Sequence, residues 1–197
     1  MGYLDGNNCS IRNLNISGTT AGLGLFCALS AGGTISNLSV YGTVVGKTYT
    51  GGIAGRNLGT IINCHNFANV SHSGGNGAGG IAGGNTGSII NCYNYGEIKT
   101  TDKKEKIGGI TGLGETNSKI ENCINYGSVT GYINAGGIVG ENQSKAIHVQ
   151  NCINFGTISG TQRIGGIVAN TASLIEKCIN NGDVETTSTT DAYSGGI

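Results

Sequence analysis

Five cysteines, Cys64, Cys92, Cys123, Cys152 and Cys178, recur at intervals of 28, 31, 29 and 26 residues. A thiol can act as a nucleophile, a metal ligand or half of a disulfide, so this series is where chemistry would first be sought. Each cysteine lies in a block that reads Ile-x-Asn-Cys-x-Asn-aromatic-Gly-x-Val: Ile61 to Val70, Ile89 to Ile98, Ile120 to Val129, Val149 to Ile158 and, more weakly, Ile175 to Val184. Two earlier copies, Ile11 to Thr20 and Ile35 to Val44, place Leu14 and Leu38 where the others have Cys. Leucine neither ligates nor bridges, so the position asks for an apolar side chain of modest size, and Cys serves as one. The total of seven cysteines is odd, with Cys9 and Cys27 outside the series, which disfavours a disulfide framework. There is no Cys-x-x-Cys, and His65, His72 and His148 are scattered, so neither zinc nor any other cofactor is expected. The five cysteines read as a structural core ladder, buried and reduced, with neighbouring thiols close enough to react if oxidised.

The other reactive side chains are no better organised. Glu121, Gln150 and Glu176 share one position in successive blocks. Two strand spacings would separate the two carboxylates by roughly 10 Å, near the upper limit for an inverting glycosidase, but no basic or aromatic cleft accompanies them. The histidines have no Ser, Cys or Asp partner in a motif, which leaves nucleophilic catalysis unsupported. Gly75-x-Gly77-x-x-Gly80 has dinucleotide-fingerprint spacing but precedes a repeat strand where a helix is needed, and that stretch has no Asp to hold calcium. The column Ser71, Lys99, Thr130, Ser159, Glu185 is too mixed for a regular Thr array of the ice-binding kind. No catalytic residue is assigned, and the chain is expected not to be an enzyme.

One series could act as a surface. Tyr41, Phe67, Tyr95, Tyr126 and Phe155 align, and two residues before them come His65, Tyr93, Ile124, Ile153 and Ile179. If Cys and the second Asn of each block point inward, period-two alternation turns both series outward. Phe67, Tyr93, Tyr95, Tyr126 and Phe155 then form a candidate binding strip, because exposed apolar strips mark interaction sites. The competing reading is a self-stacking ladder that shields a corner.

What positions these residues is a repeat. The motif Gly-Gly-Ile-x-Gly, degenerate in its first copy at Gly24-Leu25-Phe26 and cut off in its last at Gly195 to Ile197, recurs with the Gly before its apolar residue at 24, 52, 80, 109, 137, 166 and 196, spacings of 28, 28, 29, 28, 29 and 30. Each unit holds three short apolar segments between Gly- and Asn-rich corners, and the segments alternate as strands do. Strands of three to five residues cannot stand alone; stacked units let each hydrogen-bond to its copies above and below, at roughly 4.8 Å per rung. The prediction is an all-β fold, one parallel β-solenoid of about seven rungs of ~28 residues, roughly 30 Å long. A right-handed coil is favoured by the crossover rule and by a period that does not fit hexapeptide coils. The inward columns are Leu25, Ile53, Ile81, Ile110, Ile138 and Ile167, with Ile35, Ile61, Ile89, Ile120, Val149 and Ile175. The Asn series (Asn37, Asn63, Asn91, Asn122, Asn151, and Asn66, Asn94, Asn125, Asn154, Asn180) read as corner residues that also bond up the stack.

Composition agrees. Among 197 residues there are 38 Gly, no Pro and no Trp, so nearly every backbone N–H is free to join a ladder while corners stay tight. Eleven basic and eleven acidic residues cancel, which argues against a nucleic-acid binder or a polybasic membrane anchor. No apolar run approaches the ~18 residues of a membrane span, so direct insertion is not expected. The first residues carry no secretory leader, and the sequence ends inside a repeat at Gly195-Gly196-Ile197. The expectation is therefore a single repeat domain over 1–197, a fragment of a longer chain whose flanking domains or further rungs cover the open ends. Lys103-Lys104-Glu105-Lys106 reads as a solvated loop between rungs.

At Gly52-Ile53-Ala54-Gly55, Gly80-Ile81-Ala82-Gly83, Gly109-Ile110-Thr111-Gly112 and Gly137-Ile138-Val139-Gly140 the chain resembles the GLUG-type repeat region of bacterial surface, adhesin-like proteins. The accompanying Asn-Cys-x-Asn blocks look like the usual companion of that repeat. The resemblance spans nearly the whole chain, though Ile mostly replaces Leu, and Gly24-Leu25-Phe26-Cys27 and Gly166 to Ala169 lack the final Gly. It implies a large surface or secreted protein, of the kind that includes adhesins and some immunoglobulin-cleaving metalloproteases whose catalytic centre lies elsewhere in the chain. The function it implies is a non-catalytic structural or adhesive module, at the cell surface or secreted, with a host or bacterial surface glycan or protein as partner. The alternative is a carbohydrate-active β-helix, either a polysaccharide lyase or a glycan-binding module.

Overall fold

A computed structural model describes residues 2–100, 103, 106–143, 147–171, 174–188 and 193–196, and every regular element among them is a β-strand. One central coil shows the plan. The chain runs through Thr48–Gly51 in a seven-stranded sheet and Ala54–Asn57 in a six-stranded sheet. It then passes along a 17-stranded sheet as Thr60–Ile62, His65–Asn66 and Asn69–His72. The next coil repeats this one rung higher, in parallel and in register: Ile61 faces Ile89, Ile89 faces Ile120, and Asn94 lies between Asn66 and Asn125. The result is a parallel β-solenoid with a period near 28 residues, as the repeat predicts.

Identical neighbours make the core a set of columns. Ile53, Ile81, Ile110, Ile138 and Ile167 are fully buried, as are Ile61, Ile89, Ile120 and Val149 opposite them. Each such side chain contributes about 1.5–3 kcal/mol. A smaller core stacks Val70, Ile98, Val129 and Ile158 against Ala78, Ile107, Ala135 and Ile164.

The corners explain the Asn and Gly content. Asn37, Asn63, Asn91, Asn122 and Asn151 all have φ between 52° and 54°, the left-handed region that Asn tolerates better than other residues with a side chain. The second Gly of each Gly-Gly-Ile motif has a different reason. A Cβ on Gly80 would strike the Asn94 side chain and the Gly109 carbonyl of the next rung; Gly109 stands in the same relation to Asn125 and Gly137. The two sequence motifs are therefore one device, in which the bare glycine of one corner seats the Asn of the facing strand.

The first rung departs from the expected alignment. The long strand Tyr3–Ser17 pairs with Thr34–Gly46, but Leu4, not Ile11, lies against Ile35, and Cys9, not Leu14, lies against Leu38. Leu14 pairs with Gly42. Two register shifts, between Asp5 and Cys9 and between Ile11 and Leu14, cause the difference; extra residues around Asn7, Asn8 and Asn13, all at positive φ, bulge out of the ladder. Cys9 thus joins the cysteine column at its exposed end. In the lysine-rich stretch, Lys104 and Glu105 lie outside the described residues; Lys103 sits 5.8 Å over the Tyr132 ring and Lys106 pairs with Glu141 at 3.5 Å.

Candidate functional site

The outer face of the 17-stranded sheet carries the predicted strip. Cys64 and Asn66 are buried, so alternation turns His65 and Phe67 outward, and the same holds rung after rung. Tyr41, Phe67, Tyr95, Tyr126 and Phe155 form one stack with centroid separations of 4.4, 4.5, 4.9 and 5.2 Å and rings within 8° of parallel. Tyr95, Tyr126 and Phe155 keep 41%, 44% and 44% of their surface. Tyr93 is not in this stack; it lies one column over and meets His65 at 4.9 Å. The strip is therefore both things the sequence offered, a self-stacked ladder and a half-exposed apolar surface.

The stacking decides what the ladder offers a partner. Each inner ring has a neighbouring ring against both faces, so the outward surface consists of ring edges and the Tyr hydroxyls. Ring edges carry the positive part of the aromatic quadrupole. The lower face of Tyr41 is covered by Arg12, whose guanidinium carbon lies 4.2 Å from the ring centroid. On the far side of Phe155 the register places Asn181. His65 is pushed down from its ordinary pKa by burial and is a neutral member of the face. Arg12 escaped the sequence reading because the first rung is out of its expected register.

Beneath the strip runs a buried amide ladder. The side-chain amides of Asn66, Asn94, Asn125 and Asn154 each donate to the amide oxygen of the next rung at 2.8 Å. Each also donates to the carbonyl two residues on, at 2.8–2.9 Å. An exposed ladder links Asn151, Asn122, Asn91, Asn63 and Asn37 at 3.1–3.2 Å. A third, not anticipated, runs from Asn57 to Asn85 at 2.7 Å and on to Ser118 at 2.6 Å.

The cysteine column is core. Cys64, Cys92, Cys123 and Cys152 are fully buried, Cys178 is half-buried, and all are free thiols. Every one donates to the carbonyl two residues earlier at 3.2–3.3 Å. Burial pushes the Cys92 thiol well up, so it is a poor nucleophile. Among the described residues no cluster of His, Cys, Asp and Glu could hold a metal ion.

Some charged groups brace neighbouring rungs and others pair within a single one. Glu121, Gln150 and Glu176 do share a column, and Glu121 is paired with Lys119 at 2.9 Å. At another corner Glu115 accepts from Arg56 at 2.9 Å and from the Tyr49 hydroxyl at 3.1 Å, while Arg56 lies over the Tyr49 ring. Burial, then the Glu115 carboxylate, raises the Tyr49 phenol above its ordinary value. Glu141 is held by Asn134, Gln143 and Lys106.

No protein-family model matches the chain, and no curated protein matches it. A solved structure from Bacteroides ovatus, described as a "putative immunoglobulin A1 protease", matches over 98% of this chain and 68% of its own, with a TM-score of 0.67 and 22% identity. At that identity the likeness is one of fold.

Proposed function

We propose that this chain is a non-catalytic structural and adhesive module of a cell-surface or secreted protein, with the aromatic ladder as its contact face. The observation that carries the reading is how the polar groups are used. The buried asparagines bond the rungs above and below, the thiols bond carbonyls, and the Glu115 and Glu141 carboxylates are engaged by partners from neighbouring corners. Groups committed in this way hold a rod together; what the rod leaves open is a neutral, aromatic, half-exposed face. The sequence likeness to GLUG-type surface repeats supports the location.

The face favours a partner that meets ring edges over one that needs ring faces. A pyranose normally packs its C–H face on an aromatic face, and here those faces are stacked on one another. A protein or peptide surface offering carbonyls, carboxylates or its own ring faces suits the edges better. The test is binding of the full chain to panels of purified surface proteins and of glycans, alongside Tyr95→Ala and Tyr126→Ala variants. Saturable protein binding that the variants weaken at least tenfold, with unchanged far-ultraviolet circular dichroism, is the expected result. Turnover of any glycan, or binding indifferent to both substitutions, would overturn it.

A further inference from the structure

We propose that Lys106 and Asn134 form an isopeptide cross-link between successive rungs, with Glu141 carrying the protons. The inference goes beyond the adhesive reading and does not rest on it. One carboxylate gathers the other two groups. The Lys106 ammonium lies 3.5 Å from one oxygen of Glu141, and the Asn134 amide donates to the other at 2.7 Å. Ile107 pairs with Ala135, so Lys106 and Asn134 enter adjacent strands side by side. Their backbones lie about one strand spacing, ~4.8 Å, apart, well within the reach of a lysine side chain. Glu141 comes from the strand Val139–Asn142 of the six-stranded sheet.

The place is sheltered and the combination is specific to it. Asn134 is 5% exposed, and its Oδ1 has no partner among the described residues. The Glu141 and Lys106 side chains are 14% and 21% exposed. Away from water, proton transfer within the pair leaves two neutral groups, a free amine beside a carboxylic acid. Arg163, next to Asn134 in the same column, stays charged and cannot attack. Lys99 and Lys119 pair with Glu97 and Glu121 within single rungs, more open to water, with no side-chain amide on either carboxylate among the described residues. The same two rungs also lack a tie found lower in the rod. The ladder from Asn57 to Asn85 ends at Ser118, because Gly114 stands in register between Asn85 and Asn142.

The bond forms by exchange of one amide for another. Lys106 passes a proton to Glu141. The Asn134 amide turns over about its terminal torsion, so that the new carboxylic acid donates to Oδ1 and polarises Cγ. The Lys106 amine, held beside that carbon, attacks it and forms the new C–N bond. Of the three ammonium protons, one stays on the new amide. The other two reach Nδ2 through Glu141, the Cγ–Nδ2 bond breaks, and ammonium departs. One lysine ammonium and one primary amide thus become one secondary amide and one ammonium, and Glu141 ends as the carboxylate it was. No further reactant is needed.

The experiment measures the intact mass of the purified full chain, then maps its tryptic peptides after reduction and denaturation. The expected mass is that of the sequence less one ammonia. Linkage blocks cleavage after Lys106, so peptide 105–119 should appear joined to peptide 120–145, which carries Asn134. Lys106→Arg keeps the charge pair and removes the nucleophile; Glu141→Gln removes the proton carrier. Both should show full mass and separate peptides, with the far-ultraviolet circular dichroism of the parent. If either variant fails to fold, the mass and peptide map of the parent still decide. A parent of full mass after prolonged incubation at neutral pH would overturn the proposal. So would ammonia loss that maps to a succinimide at Asn76 before Gly77, or a Glu141→Gln variant that links as fully as the parent.

Discussion

Replacing Asn94 with Ala should cost the rod about 3–5 kcal/mol. Asn94 is fully buried; it donates to Asn125 at 2.8 Å and to the Gly96 carbonyl at 2.9 Å, and accepts from Asn66 at 2.8 Å. Truncation strands the Asn125 amide oxygen away from water, a penalty of about 1–3 kcal/mol. Asn66 keeps its bond to the Ala68 carbonyl and so is only partly deprived. The lost amide volume above Gly80 leaves a small cavity that raises the total. Asn91, three residues away in the exposed ladder, is the control. Its bonds at 3.1 Å to Asn63 and from Asn122 are open to water, which replaces them cheaply. Asn91→Ala should then cost mainly the left-handed backbone, about 1–2 kcal/mol, and Asn91→Gly less than about 1 kcal/mol. Urea unfolding followed by circular dichroism reads all three. Unchanged slopes are expected; a fall in slope for Asn94→Ala alone would mean that the rod now splits at that rung. The reasoning fails if Asn94→Ala costs no more than Asn91→Ala.

Other consequences follow from the same geometry. A thiol reagent applied to the native protein should label Cys9 and Cys27 rapidly and Cys64, Cys92 and Cys123 only on unfolding, as counted by intact mass. Gly109→Ala should abolish soluble, folded protein, because the added methyl meets the Asn125 amide and the Gly137 backbone; Thr43→Ala on the exposed edge of the same fold should not. Tyr49 should titrate later than an open phenol in an absorbance titration at alkaline pH, and Glu115→Gln should bring it back toward 10.0. The sign is that of a raised acid: the Tyr49 contribution is fully present below the unfolded value and is lost as pH rises through the folded one, so Glu115→Gln should flatten alkaline destabilisation.

The architecture was legible because a solenoid repeats its evidence. Six copies of a Gly-Gly-Ile motif and one degenerate copy give the period, and the exchange of Leu38 for Cys64 identifies the cysteine column as core without any geometry. The first rung was misread for the same reason that the others were read correctly. Alignment assumes a constant unit, and the bulges around Asn7, Asn8 and Asn13 break it, so Ile11 was matched with Ile35 where Leu4 belongs. The coupling of Gly80 to Asn94 was also hidden, since the two residues are 14 apart in sequence on opposite faces of one coil. So was the Tyr49–Arg56–Glu115 brace, which joins corners two rungs apart and has no counterpart in the repeat.

The aromatic series shows where a sequence column stops being informative. Period-two alternation correctly turns Phe67, Tyr95, Tyr126 and Phe155 outward, and outward aromatics suggest a platform for flat ligands. Stacking in register changes that inference. Strands about 4.8 Å apart bring successive rings to 4.4–5.2 Å, close enough that each ring finds its best partner in its own column. A column of identical aromatics on a parallel sheet therefore consumes the ring faces that a platform would need, and Arg12 takes the face that is left on Tyr41. What reaches solvent is a row of polarised edges and hydroxyls on a rigid lattice, a surface suited to a partner with complementary acceptors along one line. Interrupting the stack should then do more than remove one contact: Tyr95→Ala would free the upper face of Phe67 and the lower face of Tyr126. A variant that gains affinity for flat sugars while losing a native protein partner would show that the stacking itself sets the specificity.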